Sequence, residues 1–185
     1  MDRAARAWQV LGSAELIHSA AAVEAAIARV AAEIRARLRD RYPLVLSVIG
    51  GAIVFSGRLL PQLDFPLDFD YIHASRYGGA TSGGEIRWKV EPDSNVAGRV
   101  VLVLDDILDV GDTMHAIRER VLAMGASDFY CAVLSDKQKA APKPIYADFV
   151  GLVLPDRFVF GCGMDVGGAW RNLPAIYAVQ TPPSA

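Results

Sequence analysis

Asp105, Asp106, Asp109, Gly111, Asp112 and Thr113 crowd the end of one apolar run, Val100-Val101-Leu102-Val103-Leu104. A loop from Asp109 to Thr113 that opens a helix would aim several backbone N–H groups at one place, with the helix dipole behind them. That is a cradle for a phosphate group, and it needs no lysine. The adjacent carboxylates Asp105 and Asp106 suit sugar hydroxyls, which would donate to them. A phosphate cradle beside hydroxyl acceptors points to a ribose 5-phosphate. An acidic turn capping a helix is the plainer account of any one Asp, and an N-cap is that account for Asp109. It leaves the whole pattern unexplained. There is no Walker-type Gly-Lys-Ser/Thr loop and no Gly-x-Gly-x-x-Gly after the first strand.

Strands and helices must alternate to place such a loop. Val23, Ile27, Val30, Ile34 and Leu38 recur at helical spacing and predict an amphipathic helix over Ser19 to Arg39. Leu44 to Ile49 reads as a buried parallel strand bounded by Gly50-Gly51. A helix is expected from Ala52 to Leu60, stopped before Pro61. Strands follow at Asp68 to Ala74 and at Ile86 to Val90, the latter pairing back as a hairpin. Arg99 to Leu104 is the strongest strand. Thr113 to Met124 reads as a helix ended by Gly125, and Ser127 to Leu134 and Phe149 to Leu154 complete the strands. Such alternation builds a parallel sheet with helices on both faces, and ligands then sit beyond the C-terminal strand ends.

The chain has 185 residues, 52% hydrophobic and 22% charged, with net charge -2. This is a globular balance in one domain, without the basic footprint of a nucleic-acid binder. Cys131 and Cys162 are too few for a disulfide scaffold and read as reduced thiols in a cytoplasmic protein. The N-terminus has no apolar signal core, no run is long enough to span a bilayer, and no membrane partner is expected. The Pro-rich end from Thr181 to Ala185 reads as frayed. His18, His73 and His115 share no metal-binding spacing and read as structural. Trp8 and Trp88 read as packing residues, while Trp170 stands beside Arg171.

Val101 to Thr113 resembles the phosphoribosyl-pyrophosphate (PRPP) motif of type I phosphoribosyltransferases. Downstream, Asp148-Phe149-Val150-Gly151, the block Pro155 to Gly161, Met164-Asp165 and Arg171-Asn172-Leu173-Pro174 are similar to the C-terminal part of hypoxanthine-guanine phosphoribosyltransferases. Gly50-Gly51 and Ser75-Arg76-Tyr77-Gly78 fall where that family has its pyrophosphate and flexible loops. The likeness spans about Leu44 to Ile176. It implies an α/β type I phosphoribosyltransferase fold: a central, mainly parallel sheet flanked by helices, with a small hood. The core would run from about 19 to 135, and the hood would come from about 1–18 and 140–180. The implied activity is purine salvage, a Mg²⁺-dependent transfer of the 5-phosphoribosyl group from PRPP to hypoxanthine and/or guanine, in a homodimer or homotetramer.

The resemblance also implies roles. Asp105 and Asp106 would bind the ribose hydroxyls, and Val110, Gly111, Asp112 and Thr113 would hold the 5-phosphate. Asp109 would be the general acid/base at purine N7. Lys137 would donate to the 6-oxo group, although Lys139 and Lys143 lie close enough to leave the register open. Phe158 would stack on the purine and the Val159 backbone would read its edge. Asp165 would be the Mg²⁺ carboxylate. Ile49, Gly50, Gly51 and Arg171 would meet pyrophosphate, with a non-proline cis peptide at Ile49-Gly50. Ser75 to Gly84, with Arg76 and Tyr77, would close as a lid.

This sequence departs from the family pattern at four of those positions. Ile49 stands where many relatives carry Lys or Arg, and Arg76 replaces a common Ser; the two changes would offset one another. Val110 replaces a Thr, and Asp112 adds negative charge near a phosphate. A xanthine-preferring enzyme and a non-catalytic PRPP-sensing regulator are alternatives. A regulator would be expected to lose Asp109, Tyr77 or Lys137, all of which are present. A flavodoxin-like phosphoacceptor domain would leave the block from Phe158 to Arg171 without a role.

Overall fold

A computed structural model describes residues 2–76, 86–92 and 95–180. The sheet order follows from which strands are apolar on both faces. In β5 (Val100–Leu108), Leu102 and Leu104 join a core on one side, with β2 (Leu44–Val48) and helices α2 (Ala20–Leu38) and α3 (Ile53–Leu59). Val101 and Val103 join a second core on the other side, under α4 (Asp112–Ala123) through Met114, Ile117 and Val121. A strand buried on both faces belongs in the middle of a parallel sheet. β5 lies there, between β2 and β6 (Asp128–Lys137).

The large sheet has six strands in the order β4-β3-β2-β5-β6-β7. Its strands run parallel except β4 (Ile86–Val90), which pairs antiparallel with β3 (Asp68–Arg76) as the expected hairpin. A second sheet of three strands has the order β1-β9-β8 and is antiparallel. It joins β1 (Glu15–His18) near the N-terminus to β8 (Val159–Phe160) and β9 (Ile176–Ala178) near the C-terminus. β7 (Phe149–Leu154) pairs with β6, so the large sheet reaches Leu154.

α2 buries the expected stripe of Val23, Ile27, Val30, Ile34 and Leu38. Ser19 caps it by accepting from the Ala22 N–H, and Arg29 donates to the carbonyls of Val150 and Gly151, tying the helix to β7. Several boundaries move. The helix after Gly51 ends at Leu59, and Pro61 sits inside a 3₁₀ turn, Leu60–Gln62, where its missing N–H costs nothing. β5 does not stop at Leu104 but carries Asp105 and Asp106 within its last turn of pairing, opposite β6. An N-terminal helix that the sequence reading did not expect, α1 (Arg3–Ser13), buries none of its residues. Among the described residues no helix is long and apolar enough to cross a membrane.

Ile34 has no solvent exposure within the α2 core. Ile34→Ala is expected to cost about 2–5 kcal/mol, read as a lower urea midpoint at unchanged slope. A loss within about 0.5 kcal/mol would contradict this packing.

Candidate active site

Three chain segments meet at the C-terminal ends of β2 and β5. The turn after β2 contains the cis peptide Ile49-Gly50, as expected. Gly51 lies so close to β5 that an added Cβ would fall 2.0 Å from the Asp106 carboxylate. From the segment that follows β8, Gly163 lies over the same turn, where a Cβ would sit 2.0 Å from the Gly51 carbonyl oxygen and 3.3 Å from Asp106 Cβ. Only residues without Cβ allow this approach. At Gly50 a Cβ would meet nothing within 4 Å, so close packing accounts for Gly51 and not for Gly50.

Two cavities open around this junction. One, of about 410 Å³, is lined by Ile49, Gly50, Gly51, Asp105, Asp106, Asp109, Val110, Gly111, Thr113 and Arg171 among others. The second, about 240 Å³, is lined by Asp106, Ile107, Asp109, Lys137, Phe158, Val159, Met164, Asp165 and Arg171. Asp106, Ile107, Asp109 and Arg171 line both. Of the residues given a site role from the sequence, those whose side chains are described line one or both cavities, except Asp112. Asp112 is the first residue of α4. Tyr77 and the expected lid loop lie outside the described residues, as does the Arg76 side chain.

α4 begins at the cavity wall. Its cap is Gly111 at φ 94°, and no side chain hydrogen-bonds to that end. Asp109 is therefore not an N-cap. Its carboxylate turns instead to two lysines. Lys137, 8% exposed, donates to Asp109 Oδ2 at 3.0 Å. The Lys139 ammonium lies 2.9 Å from Asp109 Oδ1 as an ion pair, off the line of a hydrogen bond, so that shielded oxygen has no aligned donor. Lys139 also donates to Asp156 Oδ1. Lys143 is turned away, pairing with Asp136 and donating to the Leu108 carbonyl at 2.8 Å. Of the three lysines, Lys137 lines the smaller cavity, with Lys139 behind Asp109.

The electrostatics separate the carboxylates. Burial pushes the Asp105 carboxyl well up, and the neighbouring Asp106 adds to it; Asp105 Oδ1 also accepts from the Asp106 N–H at 2.9 Å. Burial raises Asp106 too, opposed by its contact with Asp105 and by the Arg171 charge. Burial also pushes Asp109 up, but the Lys139 and Lys137 ammoniums outweigh it and hold the carboxyl below its ordinary value. The site holds one acidic pair short of positive charge and one carboxylate kept ionised.

Arg171 connects the two cavities. It donates to the Gly163 carbonyl at 2.6 Å and pairs with Asp165, whose Oδ2 accepts from the Gly168 N–H at 2.7 Å. Phe158 is 59% exposed beside Val159, which is buried and paired with Ala178 in the small sheet. Phe158 is thus an exposed aromatic at the cavity wall and not a core residue. Ile107 and Met164 were not expected at the site; Ile107 lies in β5 beyond the carboxylates, where the apolar run is already broken. Among the described residues no group of three or more His, Cys, Asp and Glu is arranged to hold a metal ion. Both cysteines are free and buried, and burial pushes the Cys131 thiol up to about 12, which removes it as a nucleophile.

The phosphoribosyl transferase domain model matches residues 13–166. The chain is 34% identical over 155 residues to a hypoxanthine-guanine phosphoribosyltransferase of Bacillus subtilis, covering 83% of this chain and 86% of the relative. It is 35% identical over 157 residues to a hypoxanthine-guanine-xanthine phosphoribosyltransferase of Tritrichomonas foetus, covering 83% and 85%. The crystal structure of a hypoxanthine phosphoribosyltransferase from Staphylococcus aureus superposes with a TM-score of 0.85 at 26% identity, over 90% of this chain and 91% of that one.

Two outcomes test this geometry. Gly163→Ala must push backbone against backbone, since the Gly51 carbonyl lies 2.0 Å from the new Cβ. A cost of about 1–3 kcal/mol is expected, a fall in Tm of roughly 2–12 °C for a chain of this size. An unchanged Tm would mean that the two segments do not touch. In Lys139→Met the Asp109 carboxyl loses a cation while its burial remains, so its NMR titration should move to higher pH. Its native value is lowered, so the stability from its lysine contacts is present above the ordinary carboxylate range and drains as pH falls through the lowered value. A titration that stays in place would assign the lowering to Lys137 alone.

Proposed function

The chain belongs to the phosphoribosyltransferase family, in its hypoxanthine-guanine branch, and we propose that it transfers the 5-phosphoribosyl group of PRPP to hypoxanthine and guanine, releasing pyrophosphate, in purine salvage. The observation that carries this reading is the sharing of Asp106, Ile107, Asp109 and Arg171 by the two cavities. A sugar phosphate in the larger one and a planar base in the smaller one would meet at Asp109.

On this reading the first-turn amides of α4, with the Thr113 hydroxyl, hold the 5-phosphate. Asp105 and Asp106 accept from the ribose hydroxyls. Phe158 stacks on the base and the Val159 backbone reads its edge. Lys137 leaves Asp109 and donates to the 6-oxo group, and Asp109, kept ionised by Lys139, exchanges a proton with purine N7 as charge moves. The 6-amino group of adenine would set donor against donor at Lys137 and leave both unpaired, a strong basis for rejection. Arg171 and the Gly50-Gly51 turn meet the diphosphate; the planar fork of arginine suits it.

The donor set fits Mg²⁺, which takes one or two carboxylates and completes its shell with phosphate oxygens and water. Asp165 is the carboxylate that would hold it, at the rim of the smaller cavity. Burial of Asp105 and Asp106 without a full counter-charge also makes the site receptive to a cation. The ion would neutralise charge on the diphosphate leaving group. A homodimer or homotetramer belongs to the same reading, and exposed Phe69 and Tyr71, on one face of β3, offer apolar surface to a second copy. The free cysteines suit a reducing compartment such as the cytoplasm.

The test is nucleotide formation from PRPP and Mg²⁺ with hypoxanthine, guanine, xanthine or adenine offered separately. Turnover of hypoxanthine and guanine without adenine is expected, and a dominant rate with xanthine would revise the base preference. PRPP binding without turnover of any base would instead favour a sensor.

A further inference from the structure

α1 buries none of its residues, so core packing does not explain its place. Among the described residues, a hydrogen bond and a ring contact join α1 to one residue of the rest of the chain, Trp170. The indole Nε1–H of Trp170 donates to the Ala7 carbonyl at 2.9 Å. The Trp8 and Trp170 rings meet edge to face, 4.9 Å between centroids and 70° between planes, the arrangement that aromatic quadrupoles favour. The Arg3 guanidinium lies close to Gly168 in the same loop. Apart from its last residue, Ser13, α1 precedes the stretch that the family model matches.

The loop that α1 meets carries the groups assigned to the diphosphate. Gly167, Gly168 and Trp170 all have positive φ, at 60°, 81° and 72°. Trp170 lacks the freedom of glycine there and needs its surroundings to hold it. The next residue, Arg171, reaches back to the Gly163 carbonyl and to Asp165. Where Trp170 is fixed, the backbone that launches Arg171 is fixed. Trp8 is 64% exposed, so its ring spends apolar surface on this one contact and not on a core.

We propose that α1 is a positioning element for the diphosphate-binding loop: Trp8 and the Ala7 carbonyl hold Trp170, and Trp170 sets Arg171 for the diphosphate of PRPP and for released pyrophosphate. This rests on the reading of Arg171 given above. Neither tryptophan touches the reacting atoms. Their removal should therefore weaken one substrate and leave the other alone.

The experiment compares full-length wild type with Trp8→Ala, Trp8→Phe, Trp170→Phe and Arg171→Ala, measuring kcat, KM for PRPP, KM for hypoxanthine and inhibition by pyrophosphate. Trp8→Ala should raise the KM for PRPP and the inhibition constant of pyrophosphate by about tenfold, the scale of loss when an orienting partner is removed. kcat and the KM for hypoxanthine should stay within about twofold. Trp8→Phe should restore most of the loss by keeping an aromatic edge. Trp170→Phe removes the indole N–H donor while keeping a smaller aromatic ring against Trp8, and tests the same link if Trp8→Ala fails to fold. Arg171→Ala raising the KM for PRPP while Trp8→Ala and Trp170→Phe do not would overturn the proposal and leave the diphosphate reading intact. An Arg171→Ala enzyme with unchanged PRPP and pyrophosphate constants would overturn that reading itself. A uniform loss in all constants would reduce α1 to a stabilising role and overturn the proposal.

Discussion

The site depends on a close approach of backbones around one buried carboxylate. Asp106 is 8% exposed, and glycine is the residue that chemistry permits on either side of it, at Gly51 and at Gly163. Gly51 belongs to the turn after β2, Asp106 to β5, and Gly163 to the segment that follows β8. Three pieces of chain far apart in sequence are thereby brought within a few ångströms. Arg171 fastens the arrangement by donating to the Gly163 carbonyl. Because protein interiors do not deform continuously, this contact fixes the small sheet against the large one and so fixes the distance between the two cavities. A reaction between two bound partners needs that distance held.

Charge is distributed around the junction with a second logic. The Asp105-Asp106 pair is short of positive charge in the protein alone, and burial raises both carboxyls. Asp109, three residues on, is oversupplied with cations, because Lys137 and Lys139 both face it. Neighbouring carboxylates in one loop thus have opposite character. On the proposed reading that contrast is useful. The acidic pair accepts from hydroxyls and tolerates a cation, while Asp109 stays a carboxylate that can take a proton. The lysine that Asp109 loses to the base is backed by one that it keeps.

Much of this was legible in the residues. The apolar run from Val100, the carboxylates after it and the Gly-Thr helix start sufficed to place a strand end running into a helix start, and the structure puts a helix N-terminus without a side-chain cap there. The stripe on α2 was legible because burial on one face imposes a 3.6-residue period. The small sheet was not, because strands such as Val159–Phe160 and Ile176–Ala178 are too short to show any period. The end of β5 was missed for a related reason. Its carboxylates break the apolar run, although alternate residues remain buried. The lysines show the limit of one-dimensional reading most clearly. Lys137, Lys139 and Lys143 are chemically equal in sequence. Only the fold decides that Lys137, the last residue of β6, faces Asp109 from within the cavity, while in the segment beyond it Lys139 backs Asp109 and Lys143 ties down the Leu108 carbonyl.

α1 belongs to the illegible part for a different reason. Its sequence carries an apolar side chain, Trp8, that reads as packing, yet that side chain is mostly exposed and touches a loop more than 160 positions away in the chain. Hydrophobic pattern reports what a helix buries, and α1 buries almost nothing. What gives it a place is a carbonyl and a ring edge offered to one tryptophan whose backbone needs support. Trp170 in turn neighbours the arginine that closes the junction at Gly163. The helix at the start of the chain and the turn after β2 are in this way linked through a single short loop, and the order of that loop is the order of the site.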